Sequence, residues 1–143
     1  MDILPLVIHY PIAFLTTYCL FEFLNFRRLT SLLYWHNLKF ILLILGEVAT
    51  VATLIAAIFS TSILAGESRL GDMVKLFILI TVLIFAIQST LYIKKVQNKY
   101  VMLSLALVGL FAIVVTGGLF GAVAYGTHFD PFMAPIFKFL GVY

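Results

Sequence analysis

The sequence predicts an all-α integral membrane protein, a bundle of four transmembrane helices with both termini outside. Three observations carry that prediction. Hydrophobic residues make up 64% of the 143, with a mean hydropathy of +1.17. The nine basic and six acidic residues fall between long apolar runs. Those runs, at about residues 3–24, 38–65, 72–93 and 100–125, each reach the roughly 20 residues that cross a ~30 Å hydrocarbon core. Lipid offers the backbone no hydrogen-bond partners, so spans of this length are expected as helices. Barrel strands would be about ten residues long with strict alternation, and nothing here alternates. The connections are short, which leaves one domain over residues 1–143 and no room for a soluble module.

The charges set an orientation. A net charge of +3 is too small and too scattered for nucleic acid. Arg27, Arg28 and Lys39 flank the first connection, and Lys94, Lys95 and Lys99 flank the third. On the other side Arg69, Lys75 and Lys138 are offset by Asp2, Glu67, Asp72 and Asp130. Basic residues collect on the inner side, so both termini are expected outside. The first span opens with Asp2 instead of a basic segment and has no small-residue cleavage site, unlike a cleavable signal peptide. A lone cysteine, Cys19, excludes an intrachain disulfide, a paired-cysteine redox motif and covalent c-type haem attachment. It reads as a small buried residue.

Taken in order, the first span carries Pro5 near its start, where a missing N–H costs nothing. Pro11 lies deeper and should kink the helix while freeing the carbonyl of Val7. His9 stands between the two prolines, and the helix should end around residues 25–28. Tyr34 and Trp35 form an interfacial aromatic pair before the second span, with His36 read as a headgroup-level residue.

The second span bears Gly46, Thr50, Thr53, Ala57, Ser60 and Thr61 on one helical face, a surface that lets helices approach closely in lipid. Glu47 is different. It lies about 13 Å inside the span at 1.5 Å per residue, and an intramembrane carboxyl is a functional candidate by default. Gln88 on the third span lies at a similar depth. A protonated Glu47 bonded to Gln88 or Ser104 would be a structural solution; proton handling or partner contact is the other reading.

The fourth span ends in glycines. Gly117 and Gly121 have the close-packing spacing, and Gly117, Gly121, Ala124, Tyr125 and His128 share one helical face. A short interfacial helix over residues 130–141 should follow, with Asp130 as N-cap and Pro131 at the first helical position. Its Phe132, Met133, Ile136, Phe137, Phe139 and Leu140 are too apolar for solvent, so it could roof whatever lies below His128.

The expected topology brings His9 and His128 to the same side on different helices, together with Glu67, Asp72 and Asp130; His36 falls on the opposite side. Two histidines from separate helices can clamp a haem iron. A flat porphyrin needs a helix face stripped of side chains, which Gly117, Gly121 and Ala124 would supply. Histidine with carboxylate would equally suit zinc or non-haem iron. Without any ligand, the same histidines serve as capping or headgroup contacts.

At these residues a family resemblance enters. His9-Tyr10-Pro11-Ile12-Ala13 resembles the His-Phe-Pro-Ile-Ala start of a bacterial membrane family known as a domain of unknown function. Gly117-Gly118-Leu119-Phe120-Gly121, followed by Tyr125 and His128, resembles its closing glycine-rich, tyrosine and histidine signature. Gly46 and the alanine-rich second span fit too. The resemblance implies a four-helix bundle, often fused to or encoded beside c-type cytochromes, and so a redox neighbourhood. Two features depart from the family pattern. A further histidine common near the start of the third helix is replaced by Asp72-Met73-Val74-Lys75-Leu76, and the last histidine comes one residue late.

The resulting expectation is a small membrane subunit of a respiratory or electron-transfer complex in a bacterial or archaeal plasma membrane. His9 and His128 would be axial ligands of a b-type haem near the outer surface, beside Gly117, Gly121 and Tyr125. Ligand identity, burial and hydrogen bonding would set its potential, and it would pass electrons without acting as an enzyme. Expected partners are membrane lipids, other membrane subunits and a c-type cytochrome, with no nucleic acid. The alternative is a cofactor-free structural or assembly subunit that packs against partner transmembrane helices. A transporter or proton path through Glu47 is the weakest reading, because the chain lacks an inverted repeat. No nucleophile elbow, phosphate-cradling loop or paired carboxylates suggest catalysis.

Overall fold

The computed structural model describes residues 4–24, 31–59, 69–96, 98–125 and 131–141. Asp2, Arg27, Arg28, Ser60, Thr61, Glu67, His128 and Asp130 lie outside the described residues, as does the side chain of Ala124. Among the described residues there are six helices and no strand: α1 (Leu4–Val7), α2 (His9–Phe23), α3 (Trp35–Phe59), α4 (Arg69–Ile93), α5 (Lys99–Tyr125) and α6 (Ala134–Phe139).

Three of them, α3, α4 and α5, are long and apolar enough to cross a membrane. At 25 residues or more and 1.5 Å per residue, each exceeds the ~30 Å core. The expected first span is divided. Its 15-residue part α2 is separated from α1 at Ile8. Pro11 explains the position of the break, because it has no N–H to donate to the carbonyl of Val7 four residues earlier.

The four principal helices close a ring in which α2 and α4 each pack against both α3 and α5. Tyr18, Leu15, Leu43 and Phe85 are fully buried in one half of the core; Val74, Ile78, Leu119 and Phe137 fill the other. The outward faces are apolar as well: Ile41, Val48 and Ile55 on α3, Leu79, Leu83 and Ile87 on α4, Leu107 and Phe111 on α5 are all exposed. Helices that are hydrophobic all round belong in lipid. The all-helical fold with three such helices is compatible with a multi-pass membrane bundle.

Glycine brings the backbones together. A Cβ on Gly46 would stand 2.6 Å from Leu15 Cγ and 3.3 Å from its backbone nitrogen, and one on Gly109 would stand 2.6 Å from Phe85 Cζ. The face of α3 expected to pack is buried at Gly46, Thr50, Thr53 and Ala57. The hydroxyls of Thr50 and Thr53 donate to their own helix, to the carbonyls of Gly46 and Ala49, so these residues add no unsatisfied polar group to the contact.

The tail departs from the expected helix over 130–141. Pro131 stands in a turn, and the helix starts at Ala134 with Pro135 in its first turn, where the missing N–H costs nothing. It also packs against the bundle. Met133 covers Gly118, and Phe137, 1% exposed, enters the core cluster containing Leu119 and Val74. Arg69 at the start of α4 donates to the carbonyl of Gly141 at 3.4 Å.

Candidate functional site

One end of the bundle is built by the start of α2 and the end of α5. Cys19 Sγ donates to the carbonyl of Ala106 at 3.4 Å, and Gly117 faces Ile12. Rising numbers on one helix meet falling numbers on the other, so the two run antiparallel. Gly121, one turn beyond Gly117, is therefore level with Ile8 and His9. His9 is exposed at the first turn of α2, and Tyr125 is exposed at the end of α5.

The glycines differ in what they face. A Cβ on Gly117 would rest 3.7 Å from Ile12 Cδ1, so this glycine seats α2 against α5; Gly118 is sealed by Met133, whose Sδ would be 2.8 Å away. A Cβ on Gly121 would meet nothing within 4 Å. An open, side-chain-free position level with an exposed imidazole suits one side of a flat porphyrin. Among the described residues no three His, Cys, Asp or Glu side chains gather as a metal set, whereas an axial pair needs only two. The second of that pair, His128, lies outside the described residues.

Midway along the bundle, Glu47 is half-buried and its Oε2 accepts a hydrogen bond from Ser89 Oγ at 2.5 Å. Neither expected partner makes this contact. Gln88 Nε2 donates to the carbonyl of Met102 at 3.2 Å, and Ser104 Oγ donates to the carbonyl of Tyr100 at 2.7 Å. One residue is about 100° of helix rotation. Ser89 therefore faces α3 while its neighbour Gln88 faces α5. The amide oxygen of Gln88, Oε1, is buried with no hydrogen-bond partner among the described residues.

The most polar part of the bundle lies at its opposite end, where α2 and α4 finish and α3 and α5 begin. Lys39 Nζ donates to Glu22 Oε1 at 3.0 Å, with side chains only 9% and 7% exposed. Tyr18 donates its hydroxyl to the same oxygen at 3.3 Å. The register of α2 on α3 dictates this pairing. Glu22 stands seven residues after Leu15, and Lys39 seven residues before Gly46. Two helical turns from the tight Leu15–Gly46 contact, antiparallel helices bring those positions face to face.

Above the pair opens a cavity of about 560 Å³. Its polar lining comprises Glu22, Trp35, His36, Lys39, Tyr92, Lys95 and Lys99, together with Ser31. His36 stacks on Tyr92 with centroids 4.6 Å apart, and Trp35 lies 4.8 Å from Phe21. Trp35 Nε1 and Tyr92 Oη are buried with no hydrogen-bond partner among the described residues. The α4 terminus forms the rim. Val96 N–H donates to the carbonyl of Leu91 and Lys95 N–H to that of Tyr92, the paired bonds of a Schellman cap. In such a cap the left-handed residue is usually glycine, but here it is Lys95, at φ 54°. Across the rim Asn98 Oδ1 caps α5 by accepting from Tyr100 N–H at 3.2 Å.

Sequence reasoning reaches Lys39, Lys95 and Lys99 only as topology markers and passes over Glu22. The usable signal is the heptad offset that puts Glu22 and Lys39 opposite each other once Gly46 is taken as the closest approach of the first two helices. No family model, curated protein or solved structure matches this chain.

Proposed function

We propose that the chain is a small four-span membrane subunit of an electron-transfer assembly, with both termini outside, that holds a b-type haem between His9 and His128. The observation that carries this reading is the open position at Gly121, level with the exposed His9. Haem bound there would supply one-electron transfer. The chain's part would be two imidazoles, the open position on α5 at Gly121, and the apolar surroundings that tune the potential. Tyr125, also exposed at this end of α5, would border the group.

Packing of α2 against both α3 and α5 supports its role as the fourth span, with α1 extending it toward the outer surface. The clustering of Lys39, Lys95 and Lys99 around one cavity, with Arg27 and Arg28 close in sequence, supports an inward-facing basic end. The resemblance of the two end motifs supports a redox neighbourhood, a c-type cytochrome partner and a bacterial or archaeal plasma membrane.

The variants His9→Ala and His128→Ala test the reading. Each is expected to abolish the b-type absorption of the purified chain, and Gly121→Leu to weaken it, with helicity unchanged. A band that survives both histidine variants contradicts the assignment. A folded chain with no band leaves the cofactor-free subunit, which docks partner helices through its apolar outer faces.

A further inference from the structure

A second site, independent of the haem reading, lies at the basic end. We infer that the cavity between α2, α3, α4 and α5 binds the phosphate of an acidic phospholipid. The charges define the sign of the ligand. Lys39 is neutralised by Glu22 at 3.0 Å, whereas Lys95 and Lys99 form no ion pair among the described residues and stand on the same lining. The cavity therefore presents two uncompensated cations.

The hydrogen-bonding groups define its chemistry. Trp35 Nε1–H can only donate, and Tyr92 offers a hydroxyl. Both side chains line the cavity and are 9% and 8% exposed, and their Nε1 and Oη have no hydrogen-bond partner among the described residues. A buried donor left unmade is costly, so the complement is an acceptor-rich anion. Leu32, Leu33, Val96 and Met102 complete the lining with apolar surface, which suits the glycerol and first methylenes of a lipid better than a hydrated free ion.

Backbone conformation supplies an independent argument. A side chain at a left-handed position carries a steric cost that glycine avoids, and Lys95 occupies the cap position where glycine is the relaxed choice. A strained residue at a site rim points to function. What lysine adds there is a cation over the cavity. At the membrane surface such cations attract acidic headgroups.

The test uses the full chain in mild detergent, with retention of phosphatidylglycerol and phosphatidylcholine compared by native mass spectrometry. Preferential retention of phosphatidylglycerol is expected. The double variant Lys95→Gly/Lys99→Gln should lower that preference on the order of thirty-fold. Lys95→Gly alone should unfold at the same or a higher temperature while holding less lipid, an outcome that a purely structural lysine cannot produce. Equal retention of the two lipids overturns the proposal, as does undiminished retention in the double variant. Displacement of the bound anion by millimolar inorganic phosphate assigns the site to a free anion and overturns the lipid.

Discussion

Lys39→Met isolates the energetics of the buried pair. Glu22 and Lys39 are each more than nine-tenths buried, and both Lys39 and Tyr18 donate to the same carboxylate oxygen. Removing the ammonium leaves a carboxylate in low dielectric with one hydroxyl donor, and breaking a buried pair in this way costs about 3–5 kcal/mol. Glu22→Gln strands the lysine at a similar cost but keeps an acceptor for Tyr18. When both partners are replaced, no uncompensated charge remains, so Glu22→Gln/Lys39→Met should fall within about 1 kcal/mol of the parent. The cycle therefore predicts a coupling of at least ~5 kcal/mol. Thermal and denaturant unfolding in detergent, followed by far-ultraviolet circular dichroism, reads all four proteins. A Lys39→Met cost below about 1 kcal/mol, the range of solvated pairs, would refute the reasoning, as would single costs that simply add.

Other consequences follow from packing. Gly46→Ala forces its new methyl onto Leu15 and should destabilise by about 1–3 kcal/mol, whereas Gly121→Ala meets no atom and should be neutral or slightly stabilising in the same unfolding assay. Ser89→Ala removes the donor to Glu47 and should cost about 1–3 kcal/mol; Ser104→Ala, which loses only an exposed bond to its own helix, should stay within about 0.5 kcal/mol. Phe137→Ala empties a 1% exposed position where the tail enters the core and should cost about 3–5 kcal/mol, with tail proteolysis accelerated.

The bundle was legible in the sequence because lipid permits few solutions: long apolar runs must be helices, and the small face at Gly46, Thr50, Thr53 and Ala57 must meet a neighbour. Pro11 likewise announced the break beside Val7. What hydropathy and helical period do not carry is rotation between helices. Depth offers Gln88 or Ser104 as a partner for Glu47, whereas the bond comes from Ser89, because depth fixes a level along the axis but not an angle around it. The Glu22–Lys39 pair was missed because counting charges near span ends treats each as a topology marker. Only the register set by the Leu15–Gly46 contact shows that those two face each other. The tail reads as interfacial because it is too apolar for solvent, and that composition does not show that Phe137 and Met133 are buried while Phe132 and Phe139 are exposed.

Haem ligation by His9 and His128 is read by a reduced-minus-oxidised visible spectrum of the full chain purified in mild detergent from cells supplied with haem precursor. A haem-bearing chain gives a shifted Soret band with a b-type α band that His9→Ala abolishes. A flat spectrum from a folded, helical chain would contradict that ligation.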